Sequence, residues 1–188
     1  MKANGFINYV RLGVLSTLLL VSPNLLCQGT CMYLDGIEGI GGEQEACDPP
    51  YFPITSVSFS LVRDINSPTG SSQERNASAP KFSGVVVTRV SDVNTPLLFE
   101  SAAVGKGVIA EINYFGHPCN PTYPYQRISL DNALVSEFNS TSEEGGRPHE
   151  QISLNFTLIC LFATEFNDRC ETGPEIGACY DISLGKRK

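Results

Sequence analysis

Residues 108–115, VIAEINYF, and 127–138, RISLDNALVSEF, place apolar side chains at nearly every second position, the spacing at which a β-strand sends them to one face. The same alternation, rich in Val, Ile, Phe and Thr, runs through residues 54–63, 82–90 and 152–166, with shorter versions at 32–37 and 177–184. Turn-forming clusters separate these runs: Asp48-Pro49-Pro50, Asn66-Ser67-Pro68-Thr69-Gly70, His117-Pro118 with Asn120-Pro121 and Tyr123-Pro124, and Glu144-Gly145-Gly146-Arg147-Pro148. About seven strands with no interleaved helices predict an all-β chain closed as a small barrel or sandwich, with the long run from residue 152 at its centre.

One segment breaks the pattern. Thr95-Pro96-Leu97-Leu98-Phe99-Glu100-Ser101-Ala102-Ala103-Val104-Gly105 carries a capping hydroxyl, a proline at the first helical position and a glycine at the stop. A helix of about nine residues is marginal alone, so Leu98 and Ala102 are expected to pack on the sheet and close one end of the barrel. The fold class is thus mainly β with one short helix. Residues 64–80, DINSPTGSSQERNASAP, lack apolar periodicity and read as a long loop, either functional or structureless.

The start of the chain is different in kind. Lys2 and Arg11 are the only charges before Asp35, and the stretch Leu12, Val14, Leu15, Leu18, Leu19, Leu20, Val21 follows, with small residues at Cys27, Gly29 and Thr30. That is the layout of a secretory signal peptide. Pro23 and Asn24 interrupt it short of the roughly 20 residues a bilayer span needs. Residues 1–29 are therefore expected to be a leader cleaved between residues 27 and 30, and residues 30–188 one secreted or periplasmic domain with no stable membrane insertion. A retained anchor is the rival reading; Asn24-Leu25-Leu26 lacks the small residue that a lipoprotein site at Cys27 requires.

Losing the leader removes two positive charges and no negative one, taking the net charge from −7 to about −9. Nucleic acid is excluded as a partner, because binding phosphate needs a basic footprint. Gly185-Lys186-Arg187-Lys188 is the sole basic cluster and reads as a solvated tail.

Of seven cysteines, cleavage after Cys27 leaves six: Cys31, Cys47, Cys119, Cys160, Cys170 and Cys179. An exported chain meets an oxidising compartment, so three disulfides are expected, and spacing does not choose among the fifteen pairings. A zinc site would need ligands at short separation; only Cys119 has a nearby histidine, His117.

No catalytic constellation stands out. His117 and His149 lie beside prolines in turn segments and read as surface histidines, and no G-x-S-x-G elbow occurs. Gly36-Ile37-Glu38-Gly39-Ile40-Gly41-Gly42 lacks the helix and lysine of a phosphate cradle. Glu43 with Glu45, and Glu143 with Glu144, read as solvated loop carboxylates. Asn76-Ala77-Ser78, Asn139-Ser140-Thr141 and Asn155-Phe156-Thr157 match the glycan acceptor pattern, relevant only to a eukaryotic source. No enzymatic activity, cofactor or metal is expected.

Laid out in order, the elements resemble the Hcp family, the ring-forming tube proteins of bacterial type VI secretion. Met32-Tyr33-Leu34-Asp35-Gly36-Ile37-Glu38-Gly39 is similar to that family's opening strand, followed by Ile54-Thr55-Ser56-Val57-Ser58-Phe59-Ser60. Val87-Thr88-Arg89-Val90-Ser91-Asp92 running into residues 95–106 resembles its strand and short helix. Residues 128–136 and 150–156 resemble its late hairpin, and Gly173-Pro174 with Tyr180-Asp181 its end. The resemblance implies a small β-barrel that assembles into a hexameric ring able to stack into a tube and to carry protein effectors. It also implies that the loop after the second strand contacts neighbouring rings, which here nominates Asn66, Ser67, Thr69, Gln73, Glu74 and Arg75.

The chain departs from that family in its leader, its six cysteines and the absence of tryptophan, with Tyr180 where the family usually has Trp. Three functions compete: an exported Hcp-like structural or binding protein, as a ring component or secreted effector or as a disulfide-stabilised module that forms no tube; a secretion-tube subunit starting at Met32; and a secreted hydrolase or toxin whose cleft gathers His117 and His149.

Overall fold

The computed structural model describes residues 29–37, 47–66, 76–120 and 122–188. Its strands begin with β1 (Gly29–Leu34), β2 (Phe52–Ile54), β3 (Ser56–Ser58), β4 (Leu61–Val62), β5 (Ile65–Asn66), β6 (Asn76–Ala77), β7 (Lys81–Phe82) and β8 (Val85–Val90). Helix α1 (Thr95–Val104) follows, then β9 (Val108–Phe115), β10 (Gln126–Thr141), β11 (His149–Asn155), β12 (Leu158–Phe166), β13 (Thr172–Asp181) and β14 (Lys186–Arg187).

The 16-residue β10 is the spine. One of its edges pairs with β9; along the other, its C-terminal half pairs with β11 and its N-terminal half with β12, so β11 and β12 are one bent return strand. From β9 the ladder continues to β1 and β2, and from β11 to β8 and β3. Between β2 and β3 the chain bends at Thr55, whose N–H donates to the Thr88 carbonyl at 2.7 Å. Counting residues 52–58 as one bent strand, the pairing runs β1, β9, β10, β11, β8, β3/β2 and returns to β1, a small barrel. β12, β13 and β14 extend from it as a wing.

Alternation fills the interior. Val85 and Val87 of β8, Ala110 and Ile112 of β9, Ile128 and Leu130 of β10, and Ile152 and Leu154 of β11 are each fully buried in one cluster with Met32, Leu34 and Phe52. On β10 the inward set steps three residues, from Leu130 to Ala133. Asn132, with φ 51°, takes up that step as an irregularity, so the second half of the strand keeps its apolar face inward.

Several runs expected to be single strands are broken. Residues 54–63 become β3 and β4 plus the end of β2; residues 82–90 divide at Ser83-Gly84; and residues 152–166 divide at Phe156-Thr157. In each case the chain changes neighbours at the break, which an alternation pattern does not register. Strand β13 begins at Thr172, ahead of the expected residue 177. The expected loop at 64–80 has a strand-paired stem, Leu61↔Phe82 and Val62↔Lys81, then Ile65↔Ala77 and Asn66↔Asn76, because its first and last residues face each other across a hairpin. The basic tail is paired too: Arg187 lies opposite Tyr180 and Lys186 opposite Asp181, since the edge of β13 offers backbone partners that charge patterning does not reveal.

Helix α1 covers the sheet beside β10, with Leu98 fully buried and Ala102 against the core. Its cap is Asn94 and makes no side-chain capping bond. The hydroxyl of Thr95, expected to cap, instead accepts from the Asp92 N–H at 3.1 Å. Gly105 closes the helix at φ 66°, its N–H donating to the Ser101 carbonyl at 3.1 Å. A β-carbon there meets only Leu134 at an ordinary 3.7 Å, so Gly105→Ala is expected to cost the left-handed strain alone, about 1 kcal/mol. Thermal melting should show a fall of about 2–4 °C.

Candidate functional site

Six cysteines stand as three bonded pairs. Cys31–Cys47 ties β1 to the segment entering β2, Cys119–Cys170 ties the loop after β9 to the loop between β12 and β13, and Cys160–Cys179 bridges facing positions of β12 and β13. Their sequence separations are 16, 51 and 19 residues.

Inside the barrel end near α1 lies an ionic group that the sequence reading missed. Arg89 of β8 and Glu150 of β11 face each other across the ladder, exposed by 0% and 1%. Arg89 Nε is 3.3 Å from Glu150 Oε2, its Nη2 contacts Asp92, and its guanidinium lies 4.9 Å over the Phe52 ring. The Ser91 hydroxyl donates to Glu150 Oε1 at 2.8 Å, and the Thr95 hydroxyl contacts the same oxygen. One carboxylate therefore joins β8, β11 and the first residue of α1. A signal for this was available: Arg89 continues the inward parity of Val85 and Val87, and Glu150 that of Ile152 and Leu154.

The outer surface carries two apolar features. The first is an open groove of about 600 Å³ between the β4–β7 hairpin and the β12–β13 wing, lined by Phe59, Leu61, Phe82, Leu161 and Tyr180 with Arg63 and Arg187. The tail is held at this groove by its turn. Asp181 accepts from the Ser183 hydroxyl at 2.6 Å and the Leu184 N–H at 2.9 Å, and Lys188 N–H donates to the Cys179 carbonyl at 3.2 Å. The second feature is the outward face of α1, where Leu97, Phe99 and Val104 are exposed with Glu100, and Phe99 meets the Phe138 ring edge-on.

The hydrogen bond from Ser183, followed by that from Leu184, holds the Asp181 carboxyl below the ordinary aspartate range. A depressed folded value means that the turn gains stability from Asp181 above its unfolded pKa and loses it as pH falls through the folded one. Carboxyl NMR titration is expected to show Asp181 ionising below an ordinary aspartate, and Ser183→Ala to move it upward.

The candidate histidines are not brought together. His117 stacks on Phe166 at 4.2 Å and 13°, with its Nδ1 accepting from the Cys119 N–H at 3.3 Å. His149 opens β11 opposite Thr141, the far end of β10 from Gln126, which pairs with Tyr114 near His117. Sixteen residues of strand at about 3.3 Å each separate those ends by tens of ångströms, so no shared cleft forms. Glu143 and Glu144 are exposed, while Glu43 and Glu45 lie outside the described residues. Of the nominated ring-contact residues, Asn66 sits in the hairpin stem; Ser67, Thr69, Gln73, Glu74 and Arg75 lie outside the described residues. Residues 1–28 lie outside them as well, and among the described residues no helix is long and apolar enough to cross a membrane.

The family model for "Type VI secretion system effector, Hcp" matches residues 32–161. A search of curated proteins gives no match. Among solved structures, one described as a type six secretion system protein superposes with TM-score 0.75 at 16% identity, covering 86% of this chain and 99% of that one. Hcp1 from Salmonella typhimurium superposes with TM-score 0.66 at 18% identity, over 86% and 99% of the two chains. A type VI secretion system effector from Yersinia pestis gives TM-score 0.56 at 17% identity, over 81% and 99%.

Proposed function

Because the chain belongs to the Hcp family of type VI secretion proteins, we propose that it is an exported, non-enzymatic member that works by self-association, its copies joining side by side in a hexameric ring in the periplasm or outside the cell. The observation that carries export is the set of three cysteine pairs, since six half-cystines paired two by two suit a protein built to persist where thiols oxidise, while the ring is supported by membership of the family. The apolar run and basic start of residues 1–29 supply the route out.

A start at Met32 fits less well. Thr30 and Cys31 pair with Tyr114 and Asn113 in the first half of β1, and Cys31 is the partner of Cys47. A chain beginning at Met32 would lose both. An exported ring acts as a structural or partner-binding body, and a lumen or stacked tube able to hold a protein effector follows only if six copies close.

Two measurements test this. Intact-mass analysis of the native product is expected to show cleavage between residues 27 and 30 and six oxidised cysteines. Native mass spectrometry without reductant is expected to show a sixfold species. An uncleaved, fully reduced product would overturn export; a strictly monomeric one at high concentration would overturn the ring.

A further inference from the structure

The apolar groove and the outward face of α1 lie on different elements, and each sets charge of opposite sign beside exposed apolar side chains. The groove offers Phe59, Leu61 and Leu161, exposed by 36%, 55% and 37%, beneath two guanidinium groups, Arg63 and Arg187. On a chain of net charge −7 those cations are locally unusual, and the paired tail with its Asp181 turn keeps one of them at the rim. Helix α1 offers the converse: Leu97, Glu100 and Val104 recur at three- and four-residue steps and so share one stripe. Leu97 and Val104 are exposed by 42% and 68%, and Glu100 points away from the buried Leu98 side.

We propose that the groove receives the Leu97–Glu100–Val104 stripe of α1 from a second copy of this chain, with Glu100 set against Arg63 and Arg187. The groove lies on β4, β7, β12 and β13 and shares no residue with α1, so the contact is heterologous and each copy is left with one groove and one helix face free. Such a head-to-tail contact propagates from copy to copy and closes into a ring where the rotation it imposes divides a full turn. Burial of the apolar stripe supplies the affinity, and the charge pairing sets register and excludes the inverted arrangement. The inference rests on the self-association proposed above and names the surfaces that make it.

The test is a charge exchange on the full oxidised protein, read by sedimentation velocity, with circular dichroism confirming the fold of each variant. All three positions are exposed, so the fold is expected to survive. Glu100→Arg alone, and Arg63→Glu with Arg187→Glu, are each expected to weaken association about tenfold or more; the triple variant restores the opposite pairing and is expected to recover it. Leu61→Asp should weaken association without rescue. If the parent associates and none of the variants changes it, or if the triple variant stays as weak as the single exchanges, the pairing of groove with helix is overturned while self-association stands. A parent that remains monomeric at every concentration overturns both.

Discussion

Glu150→Ala is expected to lower unfolding stability by about 3–5 kcal/mol, because it strands a guanidinium that the fold has removed from water. Arg89 is fully buried, and its Nε faces the lost Oε2 at 3.3 Å. Asp92, which is only partly buried, remains beside Nη2 but does not reach across to β11. The same substitution also deprives the Ser91 and Thr95 hydroxyls of their common acceptor, so the start of α1 loses its tie to the sheet. Denaturant unfolding checks the magnitude. Replacing both partners by apolar residues of similar size, Arg89→Met with Glu150→Leu, is expected to recover most of the loss, since no unpaired charge is then left inside. The exposed pair Lys81–Asp64, at 2.8 Å with side chains 72% and 64% exposed, sets the contrast: Lys81→Ala should cost less than about 1 kcal/mol. A Glu150→Ala protein within 1 kcal/mol of the parent would show that water reaches the pair.

That ionic group also marks where a sequence can be read and where it cannot. Residues 108–115 were legible to the residue, because β9 keeps one pair of neighbours along its length and every second side chain meets the same core. The short helix was legible from Pro96 and Gly105, though not its cap, because Thr95 is drawn into the Glu150 cluster. Bends at Thr55, Ser83-Gly84 and Phe156-Thr157 were not legible. At each of them apolar parity survives while the hydrogen-bond partner changes, and parity is all that alternation reports. Arg89 and Glu150 were legible in principle, since charged residues in step with Val87 and Ile152 belong to the inward face, but composition-level reading treats charge as surface.

The two apolar surface features were hidden for a different reason. Leu61 and Phe82 fall in runs that look like ordinary strand, yet Leu61 is exposed on the hairpin while its partner Phe82 is half-buried against the core. Leu161 likewise alternates correctly and lies on the outer face of β12. Only the three-dimensional placement of the wing against the hairpin turns three scattered residues into one groove, and only the backbone pairing of the tail puts Arg187 at its edge.

Among the cysteine pairs, removing Cys119–Cys170 is expected to cost the most. A cross-link stabilises chiefly by limiting the unfolded chain, and the limit grows with the logarithm of the loop it closes. Separations of 51, 19 and 16 residues correspond to about 4 kcal/mol for Cys119–Cys170 and about 3 kcal/mol for each of the others. The native state adds to this order. Cys160 and Cys179 face each other in a ladder that hydrogen bonds already hold from Leu158↔Asp181 to Thr164↔Glu175, so their β-strands stay registered without the bond. Cys119 and Cys170 join two loops, and the ring stack of His117 on Phe166 depends on those loops staying together. Cys119→Ser with Cys170→Ser should therefore lower the melting temperature more than either other paired replacement, and should release the His117 ring, visible as a change in its proton NMR shift. Together the three bonds are worth about 10 kcal/mol on this reckoning, comparable with the whole stability of an ordinary domain. Full reduction is then expected to leave the barrel unfolded or nearly so at 37 °C, whereas a reduced protein that melts within a few degrees of the oxidised one would mean that packing alone holds the fold.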